Sequence, residues 1–257
     1  MLILNNKFIK PKISIIIPVF NNLKGLQKSI ESIRSQIFIN FEVWVIDGDS
    51  STETQDYLRS LKAPFFYQSE KDSGIYDAMN KGVFLSKGDW LYFLGTGDVF
   101  YNESVLEQVF VNSFNENTNL IAGKIIYQGE TKPFIYSKDK MVKNISWSSF
   151  MWIRNGLHHQ GTFYKKTLFT HRKYNLKYKI LSDYWLNLQL LKSKETCTSL
   201  DLIISECNSD GVSKAGHWSI YQEEIQLKTD LSSPFFRPVF YIIAVLKFLS
   251  RKMLNGL

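Results

Sequence analysis

Four short polar segments each follow directly on an apolar run: Pro18–Asn22, Asp47–Ser50, Gln68–Gly74 and Gly95–Asp98. Three of the four carry carboxylates, at Asp47 and Asp49, at Glu70 and Asp72, and at Asp98. Carboxylates gathered in this way can hold a hard cation or take a proton. The same segments exclude other chemistries. The first reads Pro-Val-Phe-Asn-Asn, where a dinucleotide fold needs G-x-G-x-x-G to bring backbone amides up to a pyrophosphate. It is not the glycine-rich phosphate loop of a nucleotidyltransferase either. No P-loop and no G-x-S-x-G elbow occurs in the chain, which removes P-loop phosphoryl transfer and serine hydrolysis.

The elements that must position these segments read as strand and helix in alternation. Lys12–Pro18 is a short apolar run ended by proline, the pattern of a buried parallel strand. Asn21 and Asn22 can cap the helix that follows, with Leu23, Leu26, Ile30 and Ile33 at helical spacing. Phe41–Ile46 is a second strand, a helix runs from about Thr52 to Leu61, and Phe65–Gln68 is a third strand. A helix with Ile75, Ala78, Met79, Gly82 and Val83 on one stripe comes next, then the strand Trp90–Leu94. Such alternation with short connections predicts an α/β fold, a mostly parallel sheet with helices on both faces. Ligands bind such sheets beyond the carboxyl ends of the strands, where all four polar segments fall. Past residue 115 the alternation loosens, leaving a strand at Leu120–Tyr127, an amphipathic helix at Ser182–Lys192 and a short strand at Leu202–Glu206.

The 257 residues suffice for one large domain with a tail, and 44% hydrophobic with 21% charged residues is the balance of a globular protein. No apolar run reaches the roughly 18 residues of a membrane span. The N-terminal charges follow a very short apolar stretch, the reverse of a secretory signal. Cys197 and Cys207 form no metal-binding or disulfide pattern and read as small buried hydrophobes in a reducing compartment. The net charge of +7 is uneven: residues 131–180 hold eleven Lys/Arg against one acid, Asp139. That segment suits phosphate-rich ligands or an anionic membrane surface, or is a solvated basic face. Nucleic acid is disfavoured, because no nucleic-acid-binding motif accompanies the charge.

PVFNN after the first strand, VIDGDS after the second, DSGIYDAMNKG before a helix, GDWLYFLGTGD and a later SDYWL together resemble a family 2 glycosyltransferase, with the bacterial enzymes of surface-polysaccharide assembly the nearest likeness. The resemblance covers about residues 11 to 212. It implies a GT-A fold, a nucleotide-diphosphate sugar donor, a divalent cofactor (Mn2+ or Mg2+) and inversion at the anomeric carbon. Pro18, Val19, Phe20 and Asn21 then border the nucleotide base, with Phe20 able to stack on it or to pack in the core. Asp47 or Asp49 contacts the nucleotide. Asp72 and Asp77 are candidates for the sugar or phosphates, although an N-cap role explains Asp72 nearly as well. Asp98, next to Gly97, matches the last acid of the metal-binding motif. The chain reads Gly95-Thr96-Gly97-Asp98 where many relatives carry three acids, so metal binding leans on the diphosphate and water. Asp183 matches the catalytic base, with a helix-start acid as its structural alternative. His158, His159 and Gln160 resemble an acceptor-side loop, with phosphate or metal contact as the role in view for the histidines. Asp210–Ser213 resembles a late loop over the donor.

The expected organisation is a GT-A domain over residues 1–233, with a nucleotide-sugar half at about 11–115 and an acceptor half at about 116–233. An amphipathic helical tail at 234–257 is expected to lie on an anionic membrane surface. The expected partners are a UDP-sugar and a saccharide acceptor on a lipid carrier. The expected location is cytoplasmic, on the inner face of the cell membrane. A non-catalytic nucleotide-sugar-binding or scaffold subunit on the same fold is the alternative.

Overall fold

The computed structural model describes residues 3–4, 7–8, 10–111, 115, 117–129, 141–209 and 216–255. An antiparallel pair, β1 (Ile3–Leu4) and β2 (Lys7–Phe8), precedes the main body. The large sheet is built around β3 (Ile13–Val19), every residue of which is buried, as a continuous apolar run requires when both faces are covered. It pairs in parallel with β4 (Phe41–Asp47) and β6 (Trp90–Phe93), and β4 pairs in parallel with β5 (Phe65–Ser69). The helices α1 (Leu23–Arg34), α2 (Thr52–Ser60) and α3 (Ile75–Leu85) follow β3, β4 and β5.

Side chains alternate across the sheet, so Ile15 and Ile17 join Leu26, Ile30 and Ile33 in one core. Ile16 and Ile46 join Met79, Leu91 and Phe93 in the other. Asn22 caps α1, its side-chain oxygen accepting from the Gly25 N–H at 3.0 Å. Asn21 is not the cap. Its φ is 49°, its N–H donates to Ser50 Oγ at 2.8 Å, and its side-chain oxygen accepts from the Ser51 N–H at 2.9 Å, which ties the first turn to the second. The stripe expected on α3 is corrected by one position: Ile75 is exposed and Tyr76 is buried beside Ala78, Met79 and Gly82. The Tyr76 ring is accommodated inside because its hydroxyl donates to Ile180 O at 2.7 Å. At Gly82 a Cβ would lie 2.4 Å from Ile16 Cγ2, so the glycine lets α3 lie close on β3.

The second half is mixed. It comprises β7 (Val99–Phe100), α4 (Val105–Phe110), β8 (Leu120–Gln128), β9 (Val142–Lys143), β10 (Thr162–Lys165), α5 (Ser182–Lys192), β11 (Cys197–Asn208), α6 (Trp218–Leu231) and α7 (Arg237–Asn255). The sheet order is β5-β4-β3-β6-β10-β8-β11-β7, with β9 on β8. β10 runs antiparallel to both neighbours, and β11 is parallel to β8 with register shifts between Ser199 and Ser205. β11 is longer than the expected Leu202–Glu206 and wholly absorbs it. Phe240 and Ala244 on one face of α7 pack against Tyr221 and Ile225 of α6. Among the described residues no helix is long and apolar enough to cross a membrane. Cys207 is buried and Cys197 half-buried, consistent with small apolar side chains.

Candidate active site

Asp47 ends β4 fully buried. Its Oδ2 accepts from Ser69 Oγ at 2.6 Å and from the Ser50 N–H at 3.2 Å, while Oδ1 has no partner among the described residues. A buried carboxylate oxygen without a donor is costly unless it serves an incoming N–H or O–H. Asp49, by contrast, is exposed on the turn with φ 69°. Of the two acids left open by the sequence, Asp47 is the one built into the fold.

Phe20 is 65% exposed, so the alternative that it packs in the core does not hold. A Cβ on Gly48 would meet Asp72 Oδ2 at 2.7 Å and Phe20 Cδ2 at 3.4 Å, so Phe20, Gly48 and Asp72 converge where only glycine fits. Behind them, Pro18 O accepts from Thr96 Oγ1 at 2.5 Å and Val19 O from the Gly48 N–H at 2.9 Å. These bonds join the ends of β3, β4 and β6. Asp72 is not the N-cap of α3, a position taken by Gly74 with φ 117°. Asp72 Oδ1 accepts from the Gly74 N–H at 2.8 Å. Asp77 Oδ2 accepts from the Ser73 N–H at 3.0 Å and lies 3.6 Å from Lys81 Nζ.

Asp98 is buried just beyond β6. Its Oδ1 accepts from the Asn208 N–H at 2.9 Å and its Oδ2 from Gln160 Nε2. Burial pushes its carboxyl up to about 6, against the downward pull of the Asn208 amide, the His159 charge and the Gln160 amide. A Cβ on Gly95 would lie 2.4 Å from Asp98 Oδ2 and 2.6 Å from Gln160 Nε2. The glycine therefore leaves room for the Gln160–Asp98 bond. Gly97, with φ 97°, turns the chain just before Asp98.

Asp183 lies in the first turn of α5. Its Oδ1 is 3.1 Å from the Tyr76 hydroxyl, and its Oδ2 is 3.5 Å from His159 Nδ1. Burial alone would raise this carboxyl, but the charge of nearby His159, with the Tyr184 amide and Lys143, holds it below the usual carboxylate range. His159 stacks on His158 at 5.1 Å, and His158 meets the Tyr127 ring edge-on. The segment His158–Gln160 thus bridges the two acids, with Gln160 on Asp98 and His159 on Asp183.

Sequence reasoning missed the supports. Glu223 on α6 accepts from three backbone amides: its Oε1 from Ile180 (2.8 Å) and Leu181 (2.6 Å), its Oε2 from Lys179 (3.1 Å). That one carboxylate satisfies the chain entering α5, immediately before Asp183. Tyr76 and Ser69 are likewise joined to Asp183 and Asp47 by contacts that no local pattern announces. Asp210–Ser213 lies outside the described residues, as do Lys132, Lys138, Asp139 and Lys140 of the basic segment.

Among the described residues no three His, Cys, Asp or Glu side chains converge as a metal cluster. Gln160, joined to Asp98 through its Nε2, also carries a buried Oε1 with no partner among the described residues. A hard cation drawing its remaining oxygens from a diphosphate and water fits that pair.

The family model for Glycosyl transferase family 2 matches residues 14–185. A PGL/p-HBAD biosynthesis glycosyltransferase of Mycobacterium bovis is 30% identical over 211 residues, 78% of each chain. Among solved structures, the 1-349 fragment of S. aureus TarS in complex with UDP-GlcNAc superposes with TM-score 0.65 at 15% identity, covering 93% of this chain and 72% of that one. The mannosyltransferase PcManGT of Pyrobaculum calidifontis, in complex with GDP-Man and Mn2+, does so with TM-score 0.63 at 13% identity, covering 96% and 75%. The chain spans 43% of the longer TarS chain. These likenesses identify the mixed α/β sheet as a GT-A fold with a C-terminal helix added. Family match and relatives agree with the five motifs met along the strand ends, and the chain belongs to glycosyltransferase family 2.

Proposed function

We propose that the chain is a metal-dependent, inverting glycosyltransferase that moves a sugar from a nucleotide-diphosphate donor, UDP the expected nucleotide, to a saccharide hydroxyl. The observation that carries this reading is Asp183: a half-buried carboxyl held low by His159, the Tyr184 amide and Lys143, oriented by Tyr76 and joined to Asp98 through His158–Gln160. Asp47 Oδ1 and the exposed Phe20 ring suit the nucleotide base, the first as a hydrogen-bond acceptor and the second as a stacking face. Asp98 and Gln160 hold the cation, Mn2+ or Mg2+. When bound, the cation offsets the charge that develops on the leaving diphosphate. Asp183 takes the proton of the acceptor hydroxyl, whose oxygen attacks the anomeric carbon on the face opposite the diphosphate; the bond to the diphosphate breaks and configuration inverts. The nucleotide sugars bound by the TarS fragment and PcManGT, and the Mn2+ of the latter, support this assignment.

The acceptor in this reading sits on a lipid carrier, in bacterial polysaccharide assembly, and the protein works peripherally on the inner face of the cell membrane. Residues 234–257, with α7, form the docking segment. Val239, Ile242, Leu246, Leu249 and Met253 are exposed at three- and four-residue spacing, and the segment contains Arg237, Lys247, Arg251 and Lys252 but no acid. An apolar stripe with basic residues and no acid is the composition of a helix lying among anionic headgroups. Like charges on both partners disfavour the stripe as a seam between two copies.

The test is donor hydrolysis and transfer with and without manganese, before and after chelation. Manganese-dependent turnover is expected; nucleotide-sugar binding without turnover would leave a binding subunit. Flotation with anionic liposomes checks the docking: the full chain floats and Ile242→Glu with Leu246→Glu does not. Equal flotation of both would remove α7 as the docking element.

A further inference from the structure

Two clefts lie along α3, away from Asp98 and Asp183. One, of about 720 Å³, opens at the amino-terminal ends of β3 and β6, between Lys10, Lys12, Phe84, Trp90 and the Lys165–Lys166 pair. The other, of about 550 Å³, runs from Gln68, Glu70 and Asp77 along α3 to Arg172 and Lys173. Both are lined by Val83, Phe84, Phe169 and Thr170, so they meet as one groove. It extends along the eleven residues of α3, about 16 Å, toward the loop that carries Asp72. Its far end is one strand length, about 20 Å, from the carboxyl ends of β3 and β4 that bear the site.

Two features set the groove apart. Phe84 is 88% exposed at the point where the clefts join, although α3 buries its apolar stripe elsewhere. The lining also carries seven Lys/Arg against three acids, Glu70, Asp77 and Asp89. Those acids are already met, Asp89 by Lys10 and Lys12, and Glu70 and Asp77 by Lys81. The surplus comes from Lys165, Lys166, Arg172 and Lys173, all within the basic stretch 131–180. Lys166 reaches Ser86 O at the end of α3, and Arg172 pairs with Glu195.

We infer that this groove binds an anionic saccharide chain, with Phe84 packing on the apolar face of a sugar ring and the lysines meeting its carboxylate or phosphate groups. An open channel with an exposed aromatic ring and a basic wall suits an elongated, polyhydroxylated anion, whereas a purely apolar partner would desolvate the charged wall with no compensating contact. The groove would hold saccharide beside the transfer site, at a place distinct from donor and acceptor hydroxyl. The identity of the ligand rests on the saccharide-transfer reading, but its binding requires neither donor nor turnover.

The experiment uses the full chain without donor and measures binding of a fluorescent hexagalacturonate, with neutral maltohexaose as control and UDP titrated separately. The acidic oligomer is expected to bind with affinity that falls as salt rises, and the neutral one weakly. Phe84→Ser, and Lys165→Glu with Lys173→Glu, each weaken the acidic oligomer about tenfold or more, one lost contact of about 1.4 kcal/mol, and leave UDP affinity unchanged. The inference is overturned if the acidic oligomer does not bind, if the neutral one binds equally, if the variants bind as the parent does, or if UDP displaces the oligomer. Phosphatidylglycerol vesicles form the last arm: if flotation with them is lost in the groove variants, the basic wall serves lipid headgroups and the saccharide assignment fails. Loss of transfer with oligomer binding intact would concern the proposed reaction and not the groove.

Discussion

The two halves of the molecule position their acids in different ways. Through Asp98 each functional side chain sits at or just beyond the end of a strand, and neighbouring turns hold it: Asp47 by Ser50 and Ser69, Asn21 by Ser50 and Ser51. In the second half Asp183 is held by partners from distant parts of the chain, Tyr76 on α3, His159 before β10, and Glu223 on α6 through the backbone before α5. Strand ends in a parallel sheet form a rigid ledge suited to ligand binding. A base carried on α5 must be aimed by contacts made only on folding. In the proposed reaction donor binding falls to the first half and proton transfer to the second, with Asp98 at the seam because Asn208 and Gln160 hold it from the second half.

That assignment can be broken in order of expected effect. Asp98→Asn keeps the shape but removes the charge at the seam, and transfer is expected to vanish. Near-normal turnover at saturating manganese would show that Asp98 holds no metal. Asp183→Asn cannot accept a proton, so turnover should fall by about two to four decades with UDP affinity nearly unchanged. A loss of UDP binding with turnover intact would return Asp183 to a structural role. Asp47→Asn tests the first half: UDP should bind about ten- to a hundredfold more weakly in calorimetry, the cost of about 1.5–3 kcal/mol for a hydrogen bond to a charged group, while kcat at saturating donor holds. If kcat fell instead, the division of labour would be wrong.

Glu223→Gln sharpens the comparison without touching the reacting atoms. It removes the charge that binds the amides of Lys179, Ile180 and Leu181, and kcat should drop about tenfold with donor KM unchanged and the melting temperature lowered only slightly. Equal changes in kcat and KM would mean that the whole fold had loosened. The smallest effect is one of pH. The Asp183 carboxyl is depressed in the folded state because His159, the Tyr184 amide and Lys143 together outweigh burial, so its ionised form is lost only as pH falls through that depressed value. In His159→Asn burial is left to dominate, and the acidic limb of the rate profile should move to higher pH. An unmoved limb would show that His159 does not set the ionisation of Asp183.

Much of the first half was legible. The strands at Ile13–Val19, Phe41–Asp47 and Trp90–Phe93 follow from mainly apolar runs, and α1 follows from Leu26, Ile30 and Ile33 with Asn22 as its cap. The polar turns carrying Asp47, Asp72 and Asp98 could be located for the same reason, since what interrupts an apolar run lies at the end of a strand. On α3 Ala78, Met79, Gly82 and Val83 face the core as expected, and only Ile75 gives way to Tyr76. A tyrosine takes an inside position only when its hydroxyl finds an acceptor, and the acceptor for Tyr76 lies 104 residues away at Ile180. In the second half β10 went unread because four residues between antiparallel neighbours carry no period long enough to recognise.

The sequence by itself determined the strand–helix alternation, the acids at the strand ends, the basic bias of 131–180 and the amphipathic tail, because each is a property of residue type and local spacing. Only the tertiary structure decided that Asp47 and not Asp49 is buried, that Phe20 faces outward, and that Gln160 and His159 bridge Asp98 to Asp183. It also decided that Lys165 and Lys173 share a groove with Phe84. These outcomes depend on burial, on hydrogen-bond partners and on charges brought within a few ångströms by chain closure. Spacing along the chain fixes which groups are available, but the cost of desolvating them, and the partners that offset it, exist only in the folded state.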